Sequence, residues 1–197
     1  APAPAPVVAA VWMLAGLSGG LAPSLVRSVF HLDSAVLNGF AGFIAPAVSV
    51  IVGLAFARLL PRRAMFIGIW AAILGSVMII AGVLLRSLPL MFAGQAVAGV
   101  GFGSAFTAAL SLALPLAKPH QRAGLVAGLY VVSYTAFGVP IVIEGQLVQP
   151  IGEIPAVIAY SLLTVLLAGI SLIAQWRIAR RRPPTPSRSD KTPTGRA

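Results

Sequence analysis

The sequence predicts an all-α integral membrane protein with six transmembrane helices, and three observations carry this prediction. Of the 197 residues, 58% are hydrophobic and 9% are charged, whereas a soluble domain has about 45–50% apolar and about 25% charged residues. The apolar residues form six runs, each close to the roughly 20 residues that a helix needs to cross a bilayer. The runs lack the alternating segments of about 10 residues that are typical of a membrane β-barrel.

The six runs follow one another at short intervals. Charged residues are absent from the middle of each run and are concentrated in the breaks between runs. Because a charged side chain is costly inside hydrocarbon, this distribution favours six separate spans. The predicted spans are 7–26, 35–57, 64–85, 90–114, 123–148 and 155–176.

Two terminal segments lie outside the predicted spans. Residues 1–6 alternate alanine and proline, which predicts an extended spacer. Residues 177–197 are basic and rich in proline, serine and threonine, which predicts a disordered tail. Since the chain starts at Ala1 rather than at methionine, we expect it to be a piece of a longer protein or a processed product.

The basic residues near the span ends predict the orientation of the chain. Lysine and arginine accumulate in cytoplasmic segments, and here nine lie on one side of the predicted membrane against two on the other. We therefore expect an integral protein of the cell (inner) membrane with both termini in the cytoplasm, and no nucleic-acid partner. The nine are Arg58, Arg62, Arg63, Lys118, Arg122, Arg177, Arg180, Arg181 and Arg182, and the two are Arg27 and Arg86.

Catalytic and metal-binding patterns are absent from the sequence. The chain has no cysteine, which excludes disulfides, thiolate metal sites and a cysteine nucleophile. The string Gly16-Leu17-Ser18-Gly19 matches that of intramembrane serine proteases, but both histidines, His31 and His120, fall in loops on opposite sides. Close helix packing by the small-xxx-small pair Gly16 and Gly20 explains this stretch better. We expect no enzyme activity, no catalytic residue, no metal and no cofactor.

Polar and aromatic residues inside the spans are the candidates for a substrate cavity. On the fifth span Tyr130, Ser133 and Phe137 fall on one helix face at 100° per residue, and Pro140 on the same face predicts a kink. The alternative is hydrogen bonding between helices without a ligand. The candidates are Asn38, Gln95, Thr107, Tyr130, Ser133, Tyr134 and Phe137.

Glu144 is the one carboxylate inside a predicted span. Intramembrane carboxylates are often functional, so Glu144 is a candidate for proton coupling. It follows Arg122 by 22 residues, or about 33 Å of helix, which places it near the outer interface. The alternative is a solvated position at the end of the helix.

Three stretches resemble the C-terminal half of a major facilitator superfamily transporter. The stretch AGVGFGSAF at 98–106 is similar to the tenth helix of that family. PHQRAGLVA at 119–127, followed by YVVSY at 130–134, is similar to the loop and eleventh helix of its drug and metabolite exporters. GLAFARLLPRR at 53–63 resembles a degenerate copy of the family's G-x-L-a-D-R-x-G-R-R loop, without the aspartate and with proline in place of the second glycine.

This resemblance implies a 3+3 inverted-repeat bundle that works by alternating access. It implies that the third and sixth spans lie on the outside, and that Arg58, Arg62 and Arg63 form a cytoplasmic gating loop. A missing N-terminal half of the same polypeptide, or a second copy, would then complete the cavity.

The function predicted from the resemblance is secondary active transport of a small molecule, with a drug or metabolite exporter or antiporter as the leading subclass. The expected partners are the lipid bilayer, the missing half or a second copy, a small-molecule substrate and a proton as the candidate coupling ion. The alternative is a six-span membrane scaffold or assembly protein that does not transport.

Overall fold

The computed structural model describes residues 5–180, and this part of the chain is almost entirely helical. Short 3₁₀ turns at Phe56–Arg58, Leu114–Leu116 and Pro119–Gln121 lie in two of the connections. The seven α-helices of the described part are α1 Ala5–Gly20, α2 Ala22–Ser28, α3 Ala35–Ala55, α4 Pro61–Leu84, α5 Leu88–Ala113, α6 Arg122–Ile151 and α7 Glu153–Arg180.

Five of these helices are long and apolar enough to span a membrane, and α1 with α2 forms a sixth span if the bent pair counts as one. The two helices meet at an angle of 43°. Gly19, Gly20 and Pro23 surround this break, and glycine and proline are the usual causes of a helix kink. The structure confirms an all-helical membrane protein, and it does not confirm the finer 3+3 six-span arrangement.

The two predicted terminal segments are mostly outside the described residues. Of the spacer 1–6, residues 1–4 are not described, and Ala5 already belongs to α1. Of the tail 177–197, residues 181–197 are not described, while α7 continues to Arg180.

Helices α4 and α5 form a hairpin whose two backbones approach closely through glycine. A Cβ atom placed on Gly75 would lie 2.6 Å from the backbone nitrogen of Ala98. Gly68 and Gly82, seven residues to either side along α4, meet α5 just as closely. Because small residues let transmembrane backbones touch, this glycine series sets the α4–α5 distance.

The opposite side of α5 packs against α3 in the same way. A Cβ atom on Gly99 would lie 2.6 Å from the carbonyl oxygen of Ala45, and Gly103 meets the carbonyl of Ser49. Helix α5 is therefore held between two neighbours by glycines on both of its sides.

Helix α1 lies at the centre of the bundle, where it contacts α3, α5, α6 and α7. Val7, Val11 and Leu17 on this helix have no exposed surface. The Tyr160 hydroxyl of α7 donates a hydrogen bond of 2.8 Å to the carbonyl oxygen of Met13. Packing and a buried hydrogen bond thus hold α1 between its neighbours.

Helices α3 and α6 are the least covered of the five long apolar helices. The buried share of the most apolar stretch is 6% in α6 and 17% in α3, against 50% in α4 and 39% in α7. The resemblance implied that the third and sixth spans, which are α4 and α7, lie on the outside. In the described part of the chain the second and fifth spans are the exposed ones.

Candidate functional site

An aromatic cluster joins α1, α5 and α6. Trp12 lies at its centre, with ring centroids 5.1 Å from Tyr134 and 5.3 Å from Phe102. Most of these pairs meet edge to face or tilted, as the charge distribution of aromatic rings favours. The other rings that contact Trp12 are those of Phe106, Tyr130 and Phe137.

The cluster borders a shallow, open groove whose lining residues all belong to α6. Tyr130, Tyr134 and Thr135 line it, and Tyr134 is 61% exposed. A Cβ atom on Gly128 or Gly138 would meet nothing within 4 Å. This uncovered face combines hydroxyl groups with the small residues that are typical of helix contacts. Because a hydroxyl without a hydrogen-bond partner is costly in hydrocarbon, such a face favours contact with another helix.

A second contact region joins α6 to α1 and α7. A Cβ atom on Gly16 would lie 2.7 Å from the Tyr160 hydroxyl and 2.9 Å from Ile141. Glu144 follows Ile141 by one turn on α6, is 3% exposed, and neither of its carboxylate oxygens has a hydrogen-bond partner within residues 5–180. Its proton-coupling role stays a prediction.

The other candidate cavity residues are dispersed over the bundle. Gln95 is fully buried in α5, and neither its oxygen nor its nitrogen is hydrogen-bonded within the described chain. Asn38 is half-buried on α3, and Thr107 on α5 faces Gly53. Ser133 is fully buried and donates a 2.8 Å hydrogen bond to the carbonyl oxygen of Leu129 on its own helix.

The arginines assigned to a gating loop lie at the start of α4. Arg58 ends a 3₁₀ turn, and Arg62 and Arg63 belong to the first turn of α4. Arg58 and Arg63 are exposed and Arg62 is half-buried. Their role as a gate stays a prediction.

The structure therefore brings Tyr130, Tyr134 and Phe137 into one aromatic cluster and leaves the remaining candidates elsewhere. Sequence reasoning missed Trp12, the residue that holds this cluster together. Tryptophan is usually enriched at the membrane interface, so a tryptophan inside the first predicted span was a signal that could have found it.

Comparison with known proteins gives one family. The family model described as "PUCC protein" matches residues 27–193 of the chain. No curated protein and no solved structure matches the chain significantly. The predicted membership of the major facilitator superfamily is wrong, because the matching family model is a different one and covers most of the chain. The motifs behind that resemblance were short and glycine-rich, and helix packing explains them equally well.

Proposed function

Because this chain belongs to the PUCC protein family, we propose that it is a membrane protein that assists the assembly of photosynthetic complexes. The observation that carries this proposal is the family match over residues 27–193, since the family is involved in photosynthetic complex assembly. The match supports the non-transporting alternative of the sequence analysis better than it supports transport.

The uncovered face of α6 supports an assembly role in physical terms. A transmembrane client must be recognised without help from the hydrophobic effect between helices, so close packing and hydrogen bonds have to supply the contact. The groove beside Trp12 offers the exposed side chains of Tyr130 and Tyr134 next to glycines with open space. We place a transmembrane helix of a photosynthetic subunit in this groove.

The proposal also covers the expected partner, the expected lack of enzyme activity and the expected orientation of the chain. The client helix takes the position that the resemblance had given to a second half or a second copy. The chain acts as a binding partner and not as an enzyme. We expect both termini in the cytoplasm from the positive-inside distribution, which would put the start of α4 and the end of α7 on the cytoplasmic side.

We expect a strain without this gene to lose most of its assembled photosynthetic complexes while the complex subunits are still transcribed. The physical reason is that subunits inserted without their assembly partner expose unpaired helix faces and are degraded. The measurement is the amount of intact complex in isolated membranes, compared with subunit mRNA. The same strain carrying the gene is the control, and an unchanged amount of intact complex would refute the proposal.

A further inference from the structure

A second groove lies between α4 and α7, at the end of the bundle where α4 begins and α7 ends. It has a volume of about 430 Å³ and is lined by Phe66, Trp70, Leu172, Ile173, Trp176 and Arg177. Trp70 and Trp176 are each 58% exposed. This volume is within the roughly 300–1,000 Å³ of small-ligand sites, and its lining is apolar and aromatic apart from one arginine.

The groove continues into a basic region. A neighbouring cavity of about 580 Å³ is lined by Arg62, Arg63, Phe66 and Ile67. Because Phe66 lines both cavities, Arg62 and Arg63 lie next to the groove that ends at Arg177. One continuous surface thus carries aromatic rings along the helices and guanidinium groups at its end.

The positive charge of this surface is not balanced by nearby carboxylates in the described chain. The three carboxylates within residues 5–180 are Asp33, Glu144 and Glu153. Asp33 lies between α2 and α3, Glu153 starts α7 at the end remote from Arg177, and Glu144 lies in the last third of α6. The surface is therefore electrostatically favourable for binding an anion.

We propose that this groove binds an anionic phospholipid, with the acyl chains along Phe66, Trp70 and Ile173 and the phosphate at Arg63 and Arg177. Arginine matches the geometry of a phosphate group with paired N–H donors, and basic pockets between transmembrane helices bind anionic headgroups on the cytoplasmic side. Tryptophan prefers the depth of the headgroup region. Charge and depth both match a lipid at this position, and this proposal is independent of the client in the α6 groove.

The three tryptophans of the chain make this proposal testable by fluorescence. Trp70 and Trp176 line the groove, and Trp12 lies in the aromatic cluster. In a Trp12→Phe background all tryptophan emission comes from the groove. The protein is placed in nanodiscs that contain increasing fractions of brominated phosphatidylglycerol or of brominated phosphatidylcholine, which quench tryptophan on contact.

We expect brominated phosphatidylglycerol to quench the tryptophan fluorescence at a several-fold lower mole fraction than brominated phosphatidylcholine. Each juxtamembrane arginine contributes about fivefold to the affinity for an anionic lipid. The double variant Arg63→Gln and Arg177→Gln should therefore lose most of the preference for phosphatidylglycerol over phosphatidylcholine. Arg122→Gln is the matched control, because Arg122 is exposed at the predicted cytoplasmic side but lies outside both cavities. Equal quenching by the two lipids in the parent, or an equal loss in Arg122→Gln, would overturn the proposal.

Native mass spectrometry of the unmodified chain gives a second measurement that needs no variant. We expect the protein to retain phosphatidylglycerol in preference to phosphatidylcholine, and not to retain glycerol 3-phosphate at the same concentration. Binding of glycerol 3-phosphate as strong as that of the lipid would contradict a lipid occupant, because a free phosphate ester does not use the apolar part of the groove.

Discussion

Gly75→Ala is expected to destabilise the protein by about 2–3 kcal/mol, the cost of forcing an extra methyl group into a closely packed interior. The added Cβ atom would lie 2.6 Å from the backbone nitrogen of Ala98, and 2.9 Å from the carbonyl oxygen of Gly94. Neither backbone atom can rotate away as a flexible side chain could, so α4 and α5 must separate. The measurement is the unfolding free energy from titration with a denaturing detergent.

The matched control for this variant is Gly128→Ala on α6. A Cβ atom there would meet nothing within 4 Å, so only helix propensity changes, and alanine is favoured over glycine by up to about 1 kcal/mol. The two identical chemical changes are therefore expected to shift stability in opposite directions. A loss of the same size in both variants would show that the close α4–α5 contact does not determine stability.

Trp12→Ala is expected to cost about 3 kcal/mol, the lower end of the range for large aromatic residues, because Trp12 is only partly buried. Trp12 contacts rings from both α5 and α6, and α6 is held mainly by α1 and α7. Removal of the indole thus leaves a cavity and weakens the attachment of α6. Trp12→Phe should retain most of the stability, since a ring still fills the position.

Trp70→Ala is the control for this second prediction. Trp70 is 58% exposed on α4, so its removal in detergent should change the unfolding free energy much less than removal of Trp12. The measurement is again detergent-induced unfolding, followed by tryptophan-independent circular dichroism. If Trp12→Ala unfolds at the same detergent fraction as the parent, the aromatic cluster does not hold α6 in place.

The membrane class could be predicted from the sequence because it depends on local composition. A run of about 20 apolar residues satisfies its own backbone hydrogen bonds as a helix and needs no knowledge of its neighbours. The break at Leu21 was predictable in principle, since Gly19, Gly20 and Pro23 are visible in the sequence. It was missed because mean hydropathy stays high across the break.

The candidate site could be predicted only in part because it depends on which helices meet. The periodicity of α6 put Tyr130, Ser133 and Phe137 on one face, but a face is wide enough to contain both an exposed tyrosine and a buried serine. The structure leaves Tyr130 at the groove and buries Ser133 against its own helix. The contribution of Trp12 comes from another helix, and no spacing within α6 could reveal it.

The family could not be predicted from short motifs for a related reason. Glycine series such as Gly99–Gly103 are selected by helix contacts in many membrane proteins, and here they contact Ala45 and Ser49 of α3. Close packing alone therefore accounts for their likeness to a transporter helix. The family model, which matches residues 27–193 as a whole, uses far more of the chain.

Photo-crosslinking from the α6 groove tests the central claim, the assembly of photosynthetic complexes, most directly. A photoreactive amino acid replaces Tyr134 in one version of the chain and Leu166 of α7 in another, at positions that are 61% and 58% exposed. Both versions are expressed in the native membrane while photosynthetic complexes are being formed. We predict that position 134 captures a subunit of a photosynthetic complex and that position 166 does not. The absence of such a subunit at position 134, or equal capture at both positions, would contradict the account.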